Sequence, residues 1–209
     1  SRGYGMMNWG DSPDSWYTAQ GRGGGELVWT NNEYDFPHAC MLMYARTGVR
    51  KYLDYVIVAA RHWMDVDVCH YSNDPLKAGG QYEHTNRHIS ADVIVCSHQW
   101  VEGLFDYYHL TGEKQAYDTA VGIAENVKRL LNTPDFQVKG ATNAREAGWA
   151  LRSLTAAYRE TNDPSWLEQC DWIVGFFEDW EKEKGHWLAT YLDFTDIRVV
   201  FMIAVAVVS

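Results

Sequence analysis

The feature of this 209-residue chain that most constrains its fold is a helical hairpin that recurs three times. Each repeat has an apolar-periodic segment, a short polar turn and a second helical segment, at a spacing of about 50–65 residues. The predicted helix pairs are 36–47 with 51–65, 93–110 with 114–131, and 144–160 with a helix that ends near 184. Helical hairpins at this spacing are typical of a solenoid or a closed α/α barrel.

The residues between the paired helices agree with this interpretation. Gly48 and Gly112 suit the left-handed position that follows a helix, and Asn162 can take the same place. Pro164 fits the first turn of the next helix, behind Asp163 as its cap. No run combines strict apolar alternation with hairpin dipeptides, so we expect few strands. The sequence therefore predicts an all-α fold, an α/α toroid of helical hairpins.

Long connections separate the predicted hairpins. The segment 65–91 is a loop of roughly 25 residues, well beyond the usual connection length, and such loops are usually functional. Long loops at one end of a helical barrel predict a rim around a cleft. We expect residues 1–209 to form one toroid domain, an incomplete six-hairpin barrel within a longer multidomain chain. Its open edges would allow self-association.

Composition narrows the function classes. The net charge of −10 leaves no basic footprint for nucleic acid. The longest apolar run, 199–208, is too short to span a bilayer, so no membrane segment is expected. Ten Trp and thirteen Tyr suit either a large helical core or the stacking of sugar rings. The four cysteines form no C-x-x-C pair and are expected to be buried free thiols, which leaves the compartment undecided.

Polar side chains gather where the predicted hairpins begin, in segments 31–38, 79–88 and 142–149. Helix N-termini that point into one cleft favour anionic groups. The predicted substrate-binding residues are therefore Asn31, Asn32, Glu33, His38, His98, Glu102, Arg145, Glu146 and Trp149.

Four short runs carry a family resemblance: Asn-Asn-Glu-Tyr-Asp at 31–35, Tyr-Leu-Asp-Tyr at 52–55, residues 62–67, and Gly-Gly-Gln-Tyr-Glu-His at 79–84. Through them, roughly residues 5–130 resemble the α/α-toroid domain of exo-acting rhamnogalacturonan lyases and their bacterial relatives. The resemblance implies β-elimination at a galacturonate residue, with an acidic oligo- or polysaccharide as the partner. It also implies further β-rich domains, and a secreted or periplasmic location if the chain is such a lyase.

A lyase must neutralise the uronate carboxylate, remove the C5 proton and protonate the leaving oxygen. The hypothesis is that His84 or His88 is the base and Tyr34 the acid. The carboxylate clamp would be Arg87 with one of two asparagines, Asn31 or Asn32. In the competing structural interpretation, the loop histidines His70, His84 and His88 only bond backbone carbonyls.

Three other functions remain open. A glycosidase would use two carboxyl groups, for which Glu33 or Asp35 could pair with Glu102 or Glu146. A sugar epimerase or isomerase would use paired histidines such as His38 and His98. A non-catalytic helical-repeat module would bind a protein or peptide on its concave face.

No cofactor is predicted, although a divalent metal is an alternative. His84 and His88 are four residues apart and, with His70, Asp65 or Asp67, could hold zinc or calcium. The stretch lacks an H-E-x-x-H pattern, so the prediction for metal ligands is none.

Overall fold

The computed structural model describes residues 12–14, 28–30, 34–82, 94–134 and 144–185. Two short strands, β1 (Ser12–Asp14) and β2 (Val28–Thr30), pair antiparallel. Over the described ranges the helices are α1 (Phe36–Thr47), α2 (Arg50–His62), α3 (Glu102–Thr111), α4 (Lys114–Leu131), α5 (Ala144–Thr161) and α6 (Ser165–Lys184). The predicted all-α class is confirmed.

Consecutive helices pair as three hairpins, α1 with α2, α3 with α4, and α5 with α6. The first helices of the pairs contact one another in chain order, so α3 lies between α1 and α5. Each second helix also packs against the first helix of the next hairpin. This packing is that of an α/α toroid, as predicted.

The hairpin turns have the predicted chemistry. Gly48 and Gly112 adopt φ of 67° and 72°, and Asn162 adopts φ of 54°, all in the left-handed region. A Cβ on either glycine would meet no atom within 4 Å, so the backbone conformation alone favours glycine there. Asp163 caps α6, because its Oδ1 accepts from Ser165 N at 2.9 Å.

A threonine before each of these residues completes the turn. The hydroxyls of Thr47, Thr111 and Thr161 each donate to the carbonyl four residues earlier, at 2.6, 2.7 and 2.8 Å respectively. Each hydroxyl also accepts the backbone N–H two residues later, at 3.2, 3.1 and 3.2 Å. The three turns therefore repeat one hydrogen-bonding pattern, which supports the repeat read from the sequence.

The first helix of the second hairpin is shorter than predicted. The sequence pattern placed its start at Val93, and so put His98 within a helix, whereas α3 begins at Glu102. Residues before it form a single 3₁₀ turn, Cys96–His98, flanked by extended backbone at Val95 with φ of −138°. Tertiary bonds explain the difference, because the buried polar groups of this segment are paired with other elements rather than within a helix. The apolar run predicts a helical stripe there, but the run is apolar because it is buried on several sides.

Helix α2 ends in a π-helical turn, Trp63–Asp67, and the long connection then folds back on itself. Val68 and Gln81 form an antiparallel bridge, and Gly79 N donates to Cys69 O at 2.7 Å. Arg129 of α4 holds the tip of this loop, since its Nε donates to Pro75 O at 2.8 Å. The described part of the predicted long loop, residues 65–82, is therefore a structured hairpin packed on α4.

A buried amide network joins this loop to the segment before α3. Gln99 accepts from Gln81 N at 3.0 Å and donates from Nε2 to Asn126 Oδ1 at 2.6 Å. Asn126 in turn donates to Leu76 O at 2.8 Å. Gln81, Gln99 and Asn126 are fully buried. The loop is thus held in place by hydrogen bonds of the neutral amides of Gln99 and Asn126 and of the Gln81 backbone.

The helices surround one apolar core, in which the predicted buried thiols are found. The four cysteines are free and buried. Burial raises the pKa of Cys40 and of Cys170 to about 11, so both are thiols at neutral pH. Within the described ranges, none of the helices combines the length and apolarity that crossing a bilayer requires.

Candidate functional site

The structure describes seven of the predicted site residues. They are Tyr34, His38, His98, Glu102, Arg145, Glu146 and Trp149. The other six lie outside the described residues, so their roles stay predictions: Asn31, Asn32, Glu33, His84, Arg87 and His88. The described seven fall into two neighbouring groups near the starts of α1, α3 and α5.

An aromatic cluster forms the centre of the first group. The ring of Tyr34 lies 6.1 Å from that of Trp100 and 5.8 Å from that of Trp149, measured between centroids. The two indole rings meet edge to face at 5.6 Å. Both are almost fully buried, whereas Tyr34 is 46% exposed. The cluster therefore presents one accessible ring on a rigid aromatic base.

His98 lies against this cluster, with its ring 5.9 Å from that of Trp100. Arg145 Nη2 lies 3.2 Å from His98 Nε2, and Ser97 Oγ lies 3.1 Å from Nδ1. A guanidinium can only donate, so Nε2 accepts and Nδ1 carries the proton. These two contacts favour the tautomer that is protonated at Nδ1.

Glu146 extends the group by one residue along α5. Its Oε2 accepts from Ser97 N at 2.7 Å, and its Oε1 lies 4.0 Å from Arg145 Nη1. The side chain is 18% exposed. An imidazole, a guanidinium and a carboxylate thus stand beside the aromatic cluster, which is a set of groups suited to hydroxyl recognition.

The second group centres on Glu102 at the start of α3. One oxygen accepts from Arg152 Nε at 2.5 Å and the other from Arg159 Nη2 at 3.0 Å. Arg152 also lies 5.5 Å over the ring of Trp149, so it links the two groups. Because two guanidinium groups engage both oxygens, the contacts favour a structural role for Glu102. Its predicted role in binding substrate is not tested by these contacts.

Asp35 is a buried cap and not an accessible carboxyl group. It is 2% exposed and accepts from His38 N at 3.3 Å and from Gly103 N at 3.2 Å. Burial raises its pKa from 3.8 to about 6, against the opposing effect of nearby His38. As one of the two glycosidase carboxyl groups it is therefore poorly placed, since its oxygens are shielded and already paired.

His38 pairs with α3, where its Nδ1 lies 2.7 Å from Asp106 Oδ2. Burial lowers the pKa of His38, but the hydrogen bond with Asp106 and the charges of Asp35 and Glu102 outweigh it, and the net shift is upward. The contact that holds His38 is thus with Asp106, while His98 lies in the other group. The hypothesis of a His38–His98 catalytic pair gains no support from these contacts.

The remaining described histidines make structural contacts. His70 Nε2 bonds Met64 O at 2.5 Å, as the structural interpretation of the loop histidines expects. His62 is buried with Asp67 at 3.3 Å, and His109 pairs with Glu160 at 2.7 Å. No cluster of three or more metal-ligating side chains occurs within the described ranges. The alternative metal site includes His84 and His88 and therefore stays untested.

Trp100 is the site residue that the sequence patterns did not single out. Its only sequence signal is its place two residues after His98, in a segment interpreted as helix. Trp100 instead lies outside the helix, just before α3, and its ring reaches Trp149 of α5, 49 positions later in the chain. Contact across helices of different hairpins is what a single sequence cannot provide.

Residues 84–175 match the family model described as the Beta-L-arabinofuranosidase, GH127 catalytic domain. The matched interval covers less than half of the chain, and it contains His98, Trp100, Glu102 and the polar start of α5. No curated protein and no solved structure matches. The matched model is of a glycoside hydrolase, so it does not support the resemblance to lyases specifically. The match and the helical architecture support a helical carbohydrate-active domain.

Proposed function

We propose that this chain forms the substrate-binding part of a glycoside hydrolase that acts on an arabinofuranoside. The observation that carries the proposal is the aromatic cluster of Tyr34, Trp100 and Trp149 beside the polar side chains of His98, Arg145 and Glu146. Five of these six residues lie within the interval matched by the hydrolase family model.

The cluster suits a neutral sugar for a physical reason. The apolar face of a sugar ring packs on an aromatic ring, while its hydroxyls need fixed donors and acceptors at the edge. Tyr34 supplies the exposed ring, and its two buried neighbours hold it in place. Arg145 supplies donors, and Glu146 supplies acceptors on a partly exposed carboxylate.

Hydrolysis of a glycoside commonly uses two carboxyl groups. Of the carboxyl pairs predicted from the sequence, we favour one without Asp35 or Glu102, because Asp35 is buried and two guanidinium groups engage Glu102. The pair of Glu33 with Glu146 remains, and we assign Glu146 as the member that the structure describes. Its partly exposed position beside the aromatic cluster supports this role.

The experiment is an assay of the full chain against aryl glycosides, with a β-L-arabinofuranoside first in the panel. In the Glu146→Gln variant, kcat/KM should fall by at least about a hundredfold. Glu178→Gln is the matched control, since Glu178 is exposed on α6 and pairs with Lys182. A wild-type chain that cleaves none of the glycosides, or full activity in the Glu146 variant, contradicts the proposal.

The contribution of the aromatic base is measured with Trp149→Phe. A smaller ring at this position should raise KM more than it lowers kcat, because the ring supports binding rather than proton transfer. Trp166→Phe is the control, since Trp166 is equally buried but lies at the start of α6 under Lys128. Equal effects of the two substitutions would show that the change reflects stability and not the site.

A lyase acting on an acidic polysaccharide is the second candidate. The observation in its favour is Arg145, a partly exposed guanidinium that lies at His98 and could pair with a uronate carboxylate. The same preparation should then act on a galacturonate-containing polymer and give unsaturated products with new ultraviolet absorbance. Absence of such products from pectic substrates, with cleavage of the arabinofuranoside, leaves the hydrolase alone.

A further inference from the structure

Two consecutive residues before α1 have an unusual backbone conformation. Tyr34 and Asp35 adopt φ of 53° and 55°, in the left-handed region that is unfavourable for residues with a side chain. This conformation costs free energy, because the Cβ of a residue with a side chain comes too close to the neighbouring carbonyl oxygen. The pair persists only because surrounding contacts hold it.

Asp35 provides those contacts. Its carboxylate caps α1 through His38 N and accepts from Gly103 N with both oxygens at 3.2 Å. Gly103 belongs to the first turn of α3, so a single buried carboxylate ties the start of α1 to the start of α3. A Cβ on Gly103 would overlap Asp35 Oδ1, which means that this close approach requires glycine.

The residue that this clamp orients is Tyr34. Left-handed backbone at both positions turns the chain so that the Tyr34 ring reaches Trp100 and Trp149 while remaining 46% exposed. Without the clamp, the backbone would lower its free energy by leaving the left-handed region. The Tyr34 ring would then move away from the two indole rings.

We propose that Asp35 is a positioning residue, which places the Tyr34 ring as the accessible face of the sugar-binding cluster. The functional part of this inference rests on the proposed glycosidase function. Asp35 itself touches no substrate, since it is buried beneath the turn. Its effect on the reaction is exerted through Tyr34.

The geometric part is tested without any substrate. The chain is labelled with 3-fluorotyrosine, and the ¹⁹F resonance of Tyr34 is identified by its loss in Tyr34→Phe. In Asp35→Asn, which keeps the size of the side chain but replaces one acceptor by a donor, this resonance should shift or broaden. Asp163→Asn is the matched control, because Asp163 caps α6 in an exposed position.

An unchanged Tyr34 resonance in folded Asp35→Asn overturns the inference. Circular dichroism establishes that the variant is folded. If Asp35→Asn does not fold, Gly103→Ala disturbs the same clamp from α3, and it should move the Tyr34 resonance in the same way. A Tyr34 resonance that keeps its wild-type position in this variant is equally decisive against the inference.

The functional part is tested by a double-mutant cycle on the arabinofuranoside. Asp35→Asn and Tyr34→Ala should each raise KM about tenfold and leave kcat within about twofold. In the Tyr34→Ala background, Asp35→Asn should have no further effect on KM. Additive effects would show that Asp35 does not act through Tyr34.

The two tests separate failure of the inference from failure of the proposed function. A wild-type chain without glycosidase activity sinks the proposed function, and the fluorine spectra then decide whether Asp35 positions Tyr34. An active chain whose Tyr34 resonance ignores Asp35 keeps the proposed function and removes the positioning role.

Discussion

The segments that precede α1 and α3 are held in place in two different ways. At α1 the junction is ionic and strained, with the Asp35 carboxylate bound to Gly103 N and two left-handed residues in succession. In the segment before α3 the junction is formed by neutral amides, with Gln99 held by Asn126 and by the backbone of Gln81. Both are buried, but only the first contains a group that titrates near neutral pH. The difference teaches that a change of pH should affect the Asp35 junction more strongly than the neutral amide junction.

The two junctions share one structural feature. In each, a buried polar side chain lies directly against a glycine. A Cβ on Gly103 would overlap Asp35, and a Cβ on Gly80 would lie 2.7 Å from Asn126 Oδ1. Glycine lets the backbone approach the carboxylate in one case and the amide in the other. The comparison can therefore be tested by removing either the polar group or the space that it occupies.

The largest effect is expected at the neutral junction. Asn126→Ala leaves the Gln99 amide and the carbonyl of Leu76 without their partner in a buried region, and should lower the free energy of unfolding by about 4 kcal/mol. Urea unfolding measures this, and the loss should be the same at pH 5 and pH 8. Asn132→Ala, at the exposed end of α4, should cost far less. A strongly pH-dependent loss would break the contrast between the junctions.

The ionic junction should show the opposite behaviour. The raised pKa of Asp35, about 6 in place of 3.8, means that the folded chain binds its proton more tightly than the unfolded chain. Stability from this group is therefore present below about pH 4 and lost as the pH rises through 6. Relative to Asp35→Asn, the wild type should lose up to about 3 kcal/mol between pH 4 and pH 7.

Urea unfolding of both proteins across this range measures the difference, and a flat difference contradicts the assignment. The experiment must keep the charged neighbours unchanged. Some of them shift the pKa of Asp35 by their own charge, and the others are ion-pair partners of those residues. They are His38, Glu102, Asp106, Arg152 and Arg159. The raised pKa of His38 also gives stability that is lost as the pH rises. The part of this shift that the charge of Asp35 causes is removed in Asp35→Asn, so it belongs to the measured difference.

A smaller loss is expected from filling the space opposite Asp35. Gly103→Ala places a methyl group against Asp35 Oδ1, and should destabilise the chain by about 2 kcal/mol. Gly175→Ala in α6 is the control, since a Cβ there meets no atom within 4 Å. The control should gain up to about 1 kcal/mol from its better helix propensity. Equal signs for the two substitutions in thermal melts would contradict the close approach.

The smallest effect is expected from the side chain of Gln81 at the neutral junction. Among the described residues, neither side-chain nitrogen nor oxygen of Gln81 has a hydrogen-bond partner, although both are buried. Gln81→Met keeps the volume and removes this unpaired amide, so it should stabilise the chain by about 1 kcal/mol. Gln99→Met should destabilise, because it breaks two hydrogen bonds. Destabilisation by both would mean that the Gln81 amide contributes to the network.

The sequence predicted the helices best where local chemistry decides. Helix α4 spans Lys114–Leu131 and α6 ends at Lys184, both as predicted, because a left-handed turn residue and an apolar stripe mark them. The start of α3 was predicted wrongly, since partners distant in sequence hold the segment before it. Glu102 shows the same limit, as its arginine partners Arg152 and Arg159 belong to α5 and no local pattern announces them.

The three threonine turns have a practical consequence. In each turn the threonine hydroxyl bonds only backbone groups within four residues of it, as in the turn from Thr47 to Val49. These hydrogen bonds therefore involve no other part of the fold. Gly48 and Asn162 are exposed, and exposed turns of this kind tolerate inserted residues. These two positions are therefore suitable places for insertions. Short polar insertions there should keep the aromatic cluster intact and allow each hairpin to be labelled separately.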